Sequence, residues 1–383
     1  MKKRVKRLAA ILLVSILVFS LAACGSANET EQTTESSADA GNDTEDSSDS
    51  SAEDTQSESA DVAEEGVDPI TGEKYPDQIN IGTLNGAIQT GIAEEEGFFE
   101  ELGIKVNILY FDSGRDVSNA FASNSIDVAS FGSSPISLGV SNDLGYEVIF
   151  INDVIGKSES LAAKQDSGIS TIADLKGKKV ATPFASTAHF SLLNALLLEG
   201  VEEGEVELLD MQPQDILAAW QRGDIDAAYV WNPVLAELLK DGVVLTDSEK
   251  LAEQGAVTAD LTTANKEFAQ KYPTLVTAYT EVFIKTYDLI QNDYEKAAED
   301  TAKNLNITVE EAKEQLEGVK WISGEDQLLP EYLGTSGEVG ALADTIKATA
   351  DFHVTQGNLD SAPELDVFKD AVDPSFVEAA LGK

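Results

Sequence analysis

Three short runs of small polar residues have the composition of an anion-binding site. The runs are Gly132–Pro135, Ser186-Thr187 and Trp231–Pro233, and each lies between a strand-like apolar stretch and a helical pattern. The first turn of a helix leaves backbone N–H groups without an intrahelical partner, and a Ser, Thr or Asn at its start satisfies one of them. The helix dipole attracts anions to the same place. One run alone is explained by ordinary capping, but three favour a shared anion site.

The run at Ser186-Thr187 opens the clearest helical pattern, which has leucines at 192, 193, 196 and 197. His189 follows Ser186 by three residues, so the two side chains share a helix face and could act as nucleophile and base. The sequence identifies no acid that would orient the histidine. We therefore favour a role for His189 as a hydrogen-bonding group toward a ligand, or as a contact behind the ligand.

Aromatic residues and one acid extend the candidate site. Phe184 and Trp231 lie in turns after predicted strands, where Trp231 could wall a small polar ligand or face a cation. Asp260 lies in an apolar stretch where the chain recrosses between lobes; it could pair with an ammonium group or be a hinge turn residue. The predicted ligand-binding residues are Ser133, Ser134, Phe184, Ser186, Thr187, His189, Trp231 and Asp260.

The composition excludes several classes of function. The formal net charge is −43, and no basic patch interrupts it, which excludes binding to nucleic acid through the phosphate backbone. The sequence contains no metal-ligand cluster, phosphate loop, Gly-x-Ser-x-Gly motif or dinucleotide-binding fingerprint. We expect a binding protein and not an enzyme, without a metal or cofactor, that holds an anion through local N–H groups and hydroxyls.

Strand and helix patterns alternate along the folded part of the chain. Ile79–Leu84 and Lys105–Phe111 read as strands around a helical pattern, Gly91–Leu102, which is a β-α-β unit. The alternation continues and predicts an α/β fold with mostly parallel sheets covered by helices. The folded part has about 307 residues, which is more than a single hydrophobic core usually serves. We therefore expect two lobes joined by a hinge, with a ligand cleft between them. The predicted lobes are 77–164 and 165–260, and 261–383 returns to lobe 1.

The N-terminal part has the features of an export signal and a tether. Basic residues precede a fifteen-residue apolar run that ends at Ala22, shorter than the roughly 20 residues of a membrane span. Cys24, the only cysteine, follows at the expected cleavage site, so residues 1–23 are a predicted signal peptide and Cys24 a predicted lipidation site. Residues 24–66 contain fourteen acids and no Lys or Arg, which predicts a disordered tether over 24–76.

Several stretches resemble one family of transport proteins, the periplasmic taurine-binding proteins of ABC importers. That family belongs to a wider group that binds aliphatic sulfonates, nitrate and thiamine precursors. The run from Trp220 to Trp231 is specific, whereas the serine-rich turn alone is not. The resemblance rests on Phe111–Gly114, Gly132–Pro135, Pro183–His189, Ser191–Leu193, Gln212-Pro213, Ala218–Trp231 and Val244–Glu249.

The resemblance implies a type II periplasmic-binding-protein fold and delivery of the ligand to a permease with a separate ATPase. It also implies that Ser133, Ser134, Ser186 and Thr187 hold sulfonate oxygens, that Trp231 lines the cleft and that Asp260 meets an amine. The chain departs from the family at the first loop, where Thr83 and Ala87 stand in place of a glutamine and a glutamate.

The hypothesis from the sequence is an extracytoplasmic, monomeric lipoprotein that captures taurine or a related sulfonate. A thiamine-pyrimidine precursor, nitrate or another small solute on the same fold remains the alternative, because a fold does not fix its ligand. Two hypotheses come from other classes of function: an enzyme on the same fold, and a ligand-sensing surface lipoprotein.

Overall fold

The computed structural model describes residues 66–383. The predicted signal peptide, Cys24 and residues 24–65 of the predicted tether lie outside the described residues. The prediction of disorder is wrong for residues 66–76. Asp68 is fully buried there, and its carboxylate accepts hydrogen bonds from the backbone N–H groups of Ile70 (2.9 Å) and Thr274 (3.0 Å). The segment is ordered because Asp68 caps the start of a long helix elsewhere in the chain.

Thirteen strands lie within residues 66–383. They are β1 (Gln78–Leu84), β2 (Lys105–Phe111), β3 (Val128–Gly132), β4 (Tyr146–Ile155), β5 (Glu159–Lys164), β6 (Lys179–Thr182), β7 (Glu207–Asp210), β8 (Ala227–Trp231), β9 (Gly242–Asp247), β10 (Ala259–Asn265), β11 (Val319–Trp321), β12 (Gly334–Thr335) and β13 (Glu338–Val339).

The same part of the chain contains fifteen α-helices. They are α1 (Ile88–Glu95), α2 (Gly114–Ala122), α3 (Ser133–Ser141), α4 (Thr187–Leu198), α5 (Pro213–Arg222), α6 (Val234–Leu238), α7 (Ser248–Ala252), α8 (Lys266–Lys271), α9 (Pro273–Asn292), α10 (Tyr294–Leu305), α11 (Val309–Leu316), α12 (Gly324–Gln327), α13 (Leu342–Thr355), α14 (Leu365–Lys369) and α15 (Ser375–Ala380). None of these described helices is long and apolar enough to cross a membrane.

Two mixed sheets organise the described residues. The first has the order β11-β4-β10-β3-β1-β2, and the second has the order β7-β6-β8-β5-β9. Pairing is parallel among β1, β2 and β3 and among β6, β7 and β8, as the sequence predicts. The strands β4, β5, β9, β10 and β11 pair antiparallel, and the chain crosses between the sheets from β4 to β5 and from β9 to β10. We call the first sheet with its helices lobe 1 and the second sheet with its helices lobe 2.

Lobe 2 is covered by helices on both faces of its sheet. Along β8, Ala227 and Tyr229 pack with the residues of α4, whereas Ala228 and Val230 pack with Trp220 of α5 and with α6. This alternation follows from the two-residue period of a strand, and it explains why β8 is apolar on both sides. Of the four leucines in the predicted α4 pattern, Leu192, Leu193 and Leu196 belong to this core, whereas Leu197 is exposed.

The C-terminal part of the chain packs on lobe 1. β10 lies between β3 and β4, β11 pairs with the outer side of β4, and α9, α13 and α15 contact this lobe. The crossing from lobe 1 to lobe 2 differs from the predicted boundary at residue 164. β5 belongs to the second sheet, where Glu159 lies opposite Trp231, because its short apolar run pairs with β8 instead of extending β4.

The crossing between β4 and β5 is held close to the start of β11. The Ser158 N–H donates to the carbonyl oxygen of Gly318 at 3.0 Å. A Cβ atom on Gly156 would lie 2.7 Å from the same oxygen, so this position requires glycine. The two glycines therefore let the backbone segments approach at the hinge between the lobes.

Candidate ligand-binding cleft

A cavity of about 940 Å³, its open mouth included, is lined by residues of both lobes. Lobe 1 contributes the ends of β1, β3 and β4, the starts of α1 and α3, and β10, and lobe 2 contributes the start of β5, the start of α4 and the end of β8. The cavity therefore lies where strand ends meet helix N-termini, which is the usual ligand position in an open α/β fold.

Three helix N-termini open onto the cavity. Ala87 and Gly132 precede α1 and α3 without a side-chain cap, whereas Ser186 precedes α4 and accepts a hydrogen bond from the His189 N–H at 3.1 Å. The first-turn N–H groups of α1 and α3 have no intrahelical partner. Each partly buried helix N-terminus contributes up to about 2 kcal/mol toward an anion. The cavity thus offers backbone donors from both lobes to one negatively charged group.

Three carboxyl groups face the same cavity: Asp153 on β4, Glu159 on β5 and Asp260 on β10. Burial raises the pKa of Asp153 well above its usual range, and the charges of Asp260 and Glu159 add to this. Burial likewise raises the pKa of Glu159 to about 7 and that of Asp260 to about 6. A ligand cation would offset the cost of ionising these groups together. The cavity therefore has an acidic region beside its anion-binding helix starts.

Glu159 is enclosed by hydroxyl groups from lobe 2. Thr187 Oγ1 donates to Glu159 Oε2 at 2.5 Å, and Ser248 Oγ donates to Glu159 Oε1 at 2.9 Å. Ser191 Oγ lies 3.5 Å from the same Oε1 atom. The Thr187 hydroxyl proton is therefore committed to Glu159 when this carboxyl group is ionised. What Thr187 offers an anion in that state is its backbone N–H at the start of α4.

Four of the predicted site residues line the cavity: Ser186, Thr187, Trp231 and Asp260. The Ser186 hydroxyl donates to the carbonyl oxygen of Pro183 at 2.5 Å, so like Thr187 it already has a protein acceptor. Asp260 comes from the antiparallel strand β10, where it lies opposite Gly132 and opposite Asp153. The structure places the α4 start, Trp231 and Asp260 at one cavity.

Ser133 and Ser134 do not line the cavity, in contrast to the prediction. Ser133 Oγ accepts a hydrogen bond from the Ala259 N–H at 3.2 Å, and Ser134 Oγ lies 3.0 Å from His353 Nε2. Both side chains are buried. The first turn of α3 turns its hydroxyls toward β10 and α13, so Gly132 and Pro135 line the cavity in their place.

Phe184 and His189 also lie outside the cavity lining. Their rings stack at a centroid distance of 4.4 Å, and His189 Nδ1 accepts a long hydrogen bond from the Ala185 N–H at 3.4 Å. Burial lowers the pKa of His189 to about 4. The Ser186 hydroxyl is bonded to a backbone carbonyl and not to the His189 ring, so the nucleophile–base reading of this pair finds no support in the geometry. Both rings support the loop before α4.

The family of this chain follows from comparison with known proteins. A sequence model described as NMT1/THI5 like matches residues 88–297, more than half of the chain. The chain belongs to the NMT1/THI5-like family. The match includes all three helix N-termini and all three carboxyl groups of the cavity.

The chain is also similar to a taurine-binding periplasmic protein of Escherichia coli K12. The two are 45% identical over 204 residues, which cover 53% of this chain and 63% of that relative. The matched stretch thus spans somewhat less than two thirds of the relative's length.

Solved structures identify the fold of this NMT1/THI5-like chain. The alkanesulfonate-binding protein SsuA from Xanthomonas axonopodis, bound to MOPS, has a TM-score of 0.64 at 20% identity and covers 78% of this chain and 98% of its own. The periplasmic aliphatic sulphonate-binding protein SsuA from Escherichia coli has a TM-score of 0.61 at 23% identity, with coverage of 76% and 97%. The chain therefore has the periplasmic-binding-protein fold that the sequence predicts.

Among the polar and aromatic residues of the cavity that the sequence prediction missed, five matter most for the site. They are Gln89, Asn152, Asp153, Glu159 and Trp321. None of them belongs to a motif, and each is an isolated side chain in a strand or a helix start. Within residues 66–383, no cluster of three or more His, Cys, Asp or Glu side chains has the geometry of a metal site.

Proposed function

We propose that this NMT1/THI5-like protein captures a small sulfonate that bears an ammonium group, with taurine as the leading candidate. The observation that supports the proposal is the pairing, in one cavity, of three helix N-termini with buried carboxyl groups. A sulfonate is a tetrahedral anion that accepts several N–H donors at once, and an ammonium group is what a carboxylate cluster stabilises. The similarity to a taurine-binding protein supports the same ligand.

In this proposal the two charged ends of the ligand contact different elements. The sulfonate oxygens accept from backbone N–H groups at the starts of α1 and α4, where Ser186 and Thr187 lie. The ammonium group pairs with Asp260, whose side chain is half-buried at the cavity wall. Trp231 covers the short carbon chain between the two ends.

Closure of the lobes completes the site. Lobe 1 supplies two helix starts with Asp153 and Asp260, and lobe 2 supplies the start of α4 with Glu159 and Trp231. Since only the closed arrangement gives the ligand all of these partners, binding shifts the population toward the closed form.

The place of the protein in transport is part of the proposal. We infer that it acts outside the cytoplasm as a monomer, anchored by a lipid on Cys24 at the outer face of the plasma membrane. A single acyl chain binds membranes only marginally, whereas several hold a protein stably. The closed protein would deliver its ligand to an ABC permease with its ATPase. Radiolabelled palmitate incorporation into wild-type protein, but not into Cys24→Ala, tests the anchor, and equal labelling of both would contradict it.

Isothermal titration calorimetry tests the ligand assignment. We expect heat of binding with taurine, weaker binding with ethanesulfonate, which lacks the amine, and none with nitrate or with the pyrimidine precursor of thiamine. Asp260→Ala should abolish the preference for taurine while ethanesulfonate binding persists. Absence of binding to any sulfonate would overturn the assignment, and binding of the pyrimidine alone would establish the alternative ligand.

A further inference from the structure

Two buried polar atoms of the cavity lining have no hydrogen-bond partner among the described residues. They are Gln89 Nε2, a donor, and Asp153 Oδ1, an acceptor. Gln89 is 4% exposed and Asp153 is 7% exposed, so water has little access to either side chain. Buried polar groups in folded proteins are nearly always paired, and an unpaired one is costly. An unpaired donor and an unpaired acceptor in one cavity therefore indicate a ligand that carries the complementary groups.

A β-bulge directs these side chains. Asp260 lies opposite Asp153, but the next residue of β10, Leu261, lies opposite Ile151, so Asn152 is an extra residue in β4. Consecutive strand residues normally point to opposite faces, and a bulge re-aims them. Asn152 and Asp153 consequently both line the cavity.

The bulge is supported from behind by one side chain. The Ile151 N–H donates to Gln327 Oε1 at 3.0 Å, and Gln327 Nε2 donates to the Ile151 carbonyl oxygen at 2.7 Å. Gln327 thus pairs both backbone groups of Ile151, the residue next to the bulge. A feature with such a dedicated partner is a stable part of the site.

Asn152 also fixes the orientation of Gln89. Asn152 Nδ2 donates to Gln89 Oε1 at 2.8 Å, and Asn152 Oδ1 accepts from Thr262 Oγ1 at 2.8 Å. The Ser130 and Thr262 hydroxyls lie 2.7 Å apart and continue the chain of hydrogen bonds. Because this chain occupies the oxygen of Gln89, its amide nitrogen is the free end. Gln89 is the second residue of α1, so this donor lies beside the N–H groups of the α1 first turn.

The surroundings of Asp153 favour a cationic partner. Asp260 lies opposite it on β10, Trp321 lies opposite it on β11, and Glu159 faces the same cavity from lobe 2. None of the ion pairs formed within residues 66–383 involves these three acids. A ligand ammonium group is therefore the cation that this region lacks.

We propose that Asp153 accepts a hydrogen bond from the ligand's ammonium group and that Gln89 donates one to its anionic end. Lobe 1 then contacts both ends of an aminosulfonate before lobe 2 closes over it. Asp153 is a determinant of the preference for aminosulfonates over plain alkanesulfonates. This inference rests on the proposed function, since it assigns residues to the two ends of the ligand proposed there.

Binding of taurine and ethanesulfonate to Asp153→Asn and Gln89→Met tests the inference. Asp153→Asn should weaken taurine binding about tenfold or more and change ethanesulfonate binding by less than about twofold, since a site built for a polar group penalises loss of that pairing. Gln89→Met, which keeps the length of the side chain, should weaken the binding of both ligands by a similar factor. The exposed pair Asp143→Asn and Gln270→Met are matched controls and should bind as wild type does.

The outcomes separate the inference from the proposed function. If wild-type protein prefers taurine and Asp153→Asn keeps that preference, the inference is wrong and the proposed function stands. If wild-type protein binds no sulfonate, the proposed function itself fails. Asp153→Ser serves as a second variant with a smaller side chain, and near-UV circular dichroism verifies that each variant is folded. Loss of both ligands in folded Asp153→Asn would also contradict a selective role for this carboxyl group.

Discussion

Glu159 is a fully buried carboxyl group whose charge state affects the stability of the whole cleft. Burial raises its pKa from 4.5 to about 7, although hydrogen bonds from Thr187 and Ser248 oppose that shift. A raised folded-state pKa means that the folded protein holds the proton more tightly than the unfolded chain does. The stability from this group is thus fully present below about pH 4.5 and is lost as the pH rises through about 7.

Replacing Glu159 by glutamine should reduce this loss. The shift corresponds to about 3 kcal/mol of unfolding free energy. The wild-type protein should lose this stability between pH 4.5 and 8, whereas Glu159→Gln should keep it. Urea denaturation at several pH values measures the difference. Glu207→Gln, at an exposed position of β7, is the control and should follow wild type. A pH dependence of Glu159→Gln identical to that of wild type would show that the carboxyl group is ionised without cost.

Single residues also mark the limit of what the sequence predicts. Ser186, Thr187 and Trp231 could be placed because they belong to strand–turn–helix runs with recognisable caps. Asp153 and Glu159 could not, because each lies in a mainly apolar strand without a recognisable motif. Their convergence depends on the bulge in β4 and on the antiparallel pairing of β5, which are tertiary features.

Elements were predicted well where a local signal existed. The β-α-β unit predicted around Gly91–Leu102 is present, although its α-helix, α1, covers Ile88–Glu95. Pro273 separates α8 from α9 because it cannot continue a helix. Asn306, which has a left-handed backbone with φ of 54°, ends α10 before α11 begins. The antiparallel strands β9 and β11 carry no such signal and were missed.

Two helix starts connect the lobes beside the cleft. Arg115 on α2 of lobe 1 forms an ion pair with Asp210 at the end of β7 in lobe 2, at 2.9 Å. Gln212, which precedes α5, donates to Asp116 at 3.2 Å. Asp210 also accepts from the Phe184 N–H at 2.9 Å, in the loop before α4. The contact therefore links the two lobes to the loop that positions the α4 helix start.

Removing this contact should speed ligand release. Arg115→Ala is expected to raise the dissociation rate of taurine a few-fold, because an exposed ion pair contributes about 0.2–1 kcal/mol, with little effect on thermal stability. Stopped-flow displacement of bound ligand measures the rate. Arg222→Ala removes a more exposed ion pair within lobe 2, to Asp224, and is the control. Equal dissociation rates for both variants would show that the Arg115–Asp210 pair does not stabilise the closed form.

The two-lobed architecture was predictable at the scale of the whole molecule, because about 307 residues of alternating strand and helix exceed one core. The position of the first lobe crossing was not, since β5 continues the apolar character of β4 and only its pairing with β8 assigns it to lobe 2. Composition likewise predicts the strong negative charge of the chain, but it does not predict the acidic region in the cleft.

The negative charge of the molecule should discriminate between ligands in a salt-dependent way. The chain carries a formal net charge of −43, so it repels a free anion at long range while its helix starts bind that anion locally. Ethanesulfonate has a net charge of −1 and feels this repulsion, whereas taurine is a zwitterion without net charge. Raising ionic strength from about 0.01 M to 0.15 M shortens the screening length from about 30 to 8 Å. The ratio of ethanesulfonate to taurine affinity should therefore rise several-fold.

Calorimetric titrations of both ligands over this range of sodium chloride measure the ratio. Chloride could also compete at the helix N-termini, but competition at one shared anion site would lower both affinities equally and leave the ratio unchanged. A ratio that is independent of salt would mean that only local donors decide anion binding. A ratio that falls with salt would place a net positive potential at the cleft mouth, against the distribution of charge that the carboxyl groups of Asp153, Glu159 and Asp260 indicate.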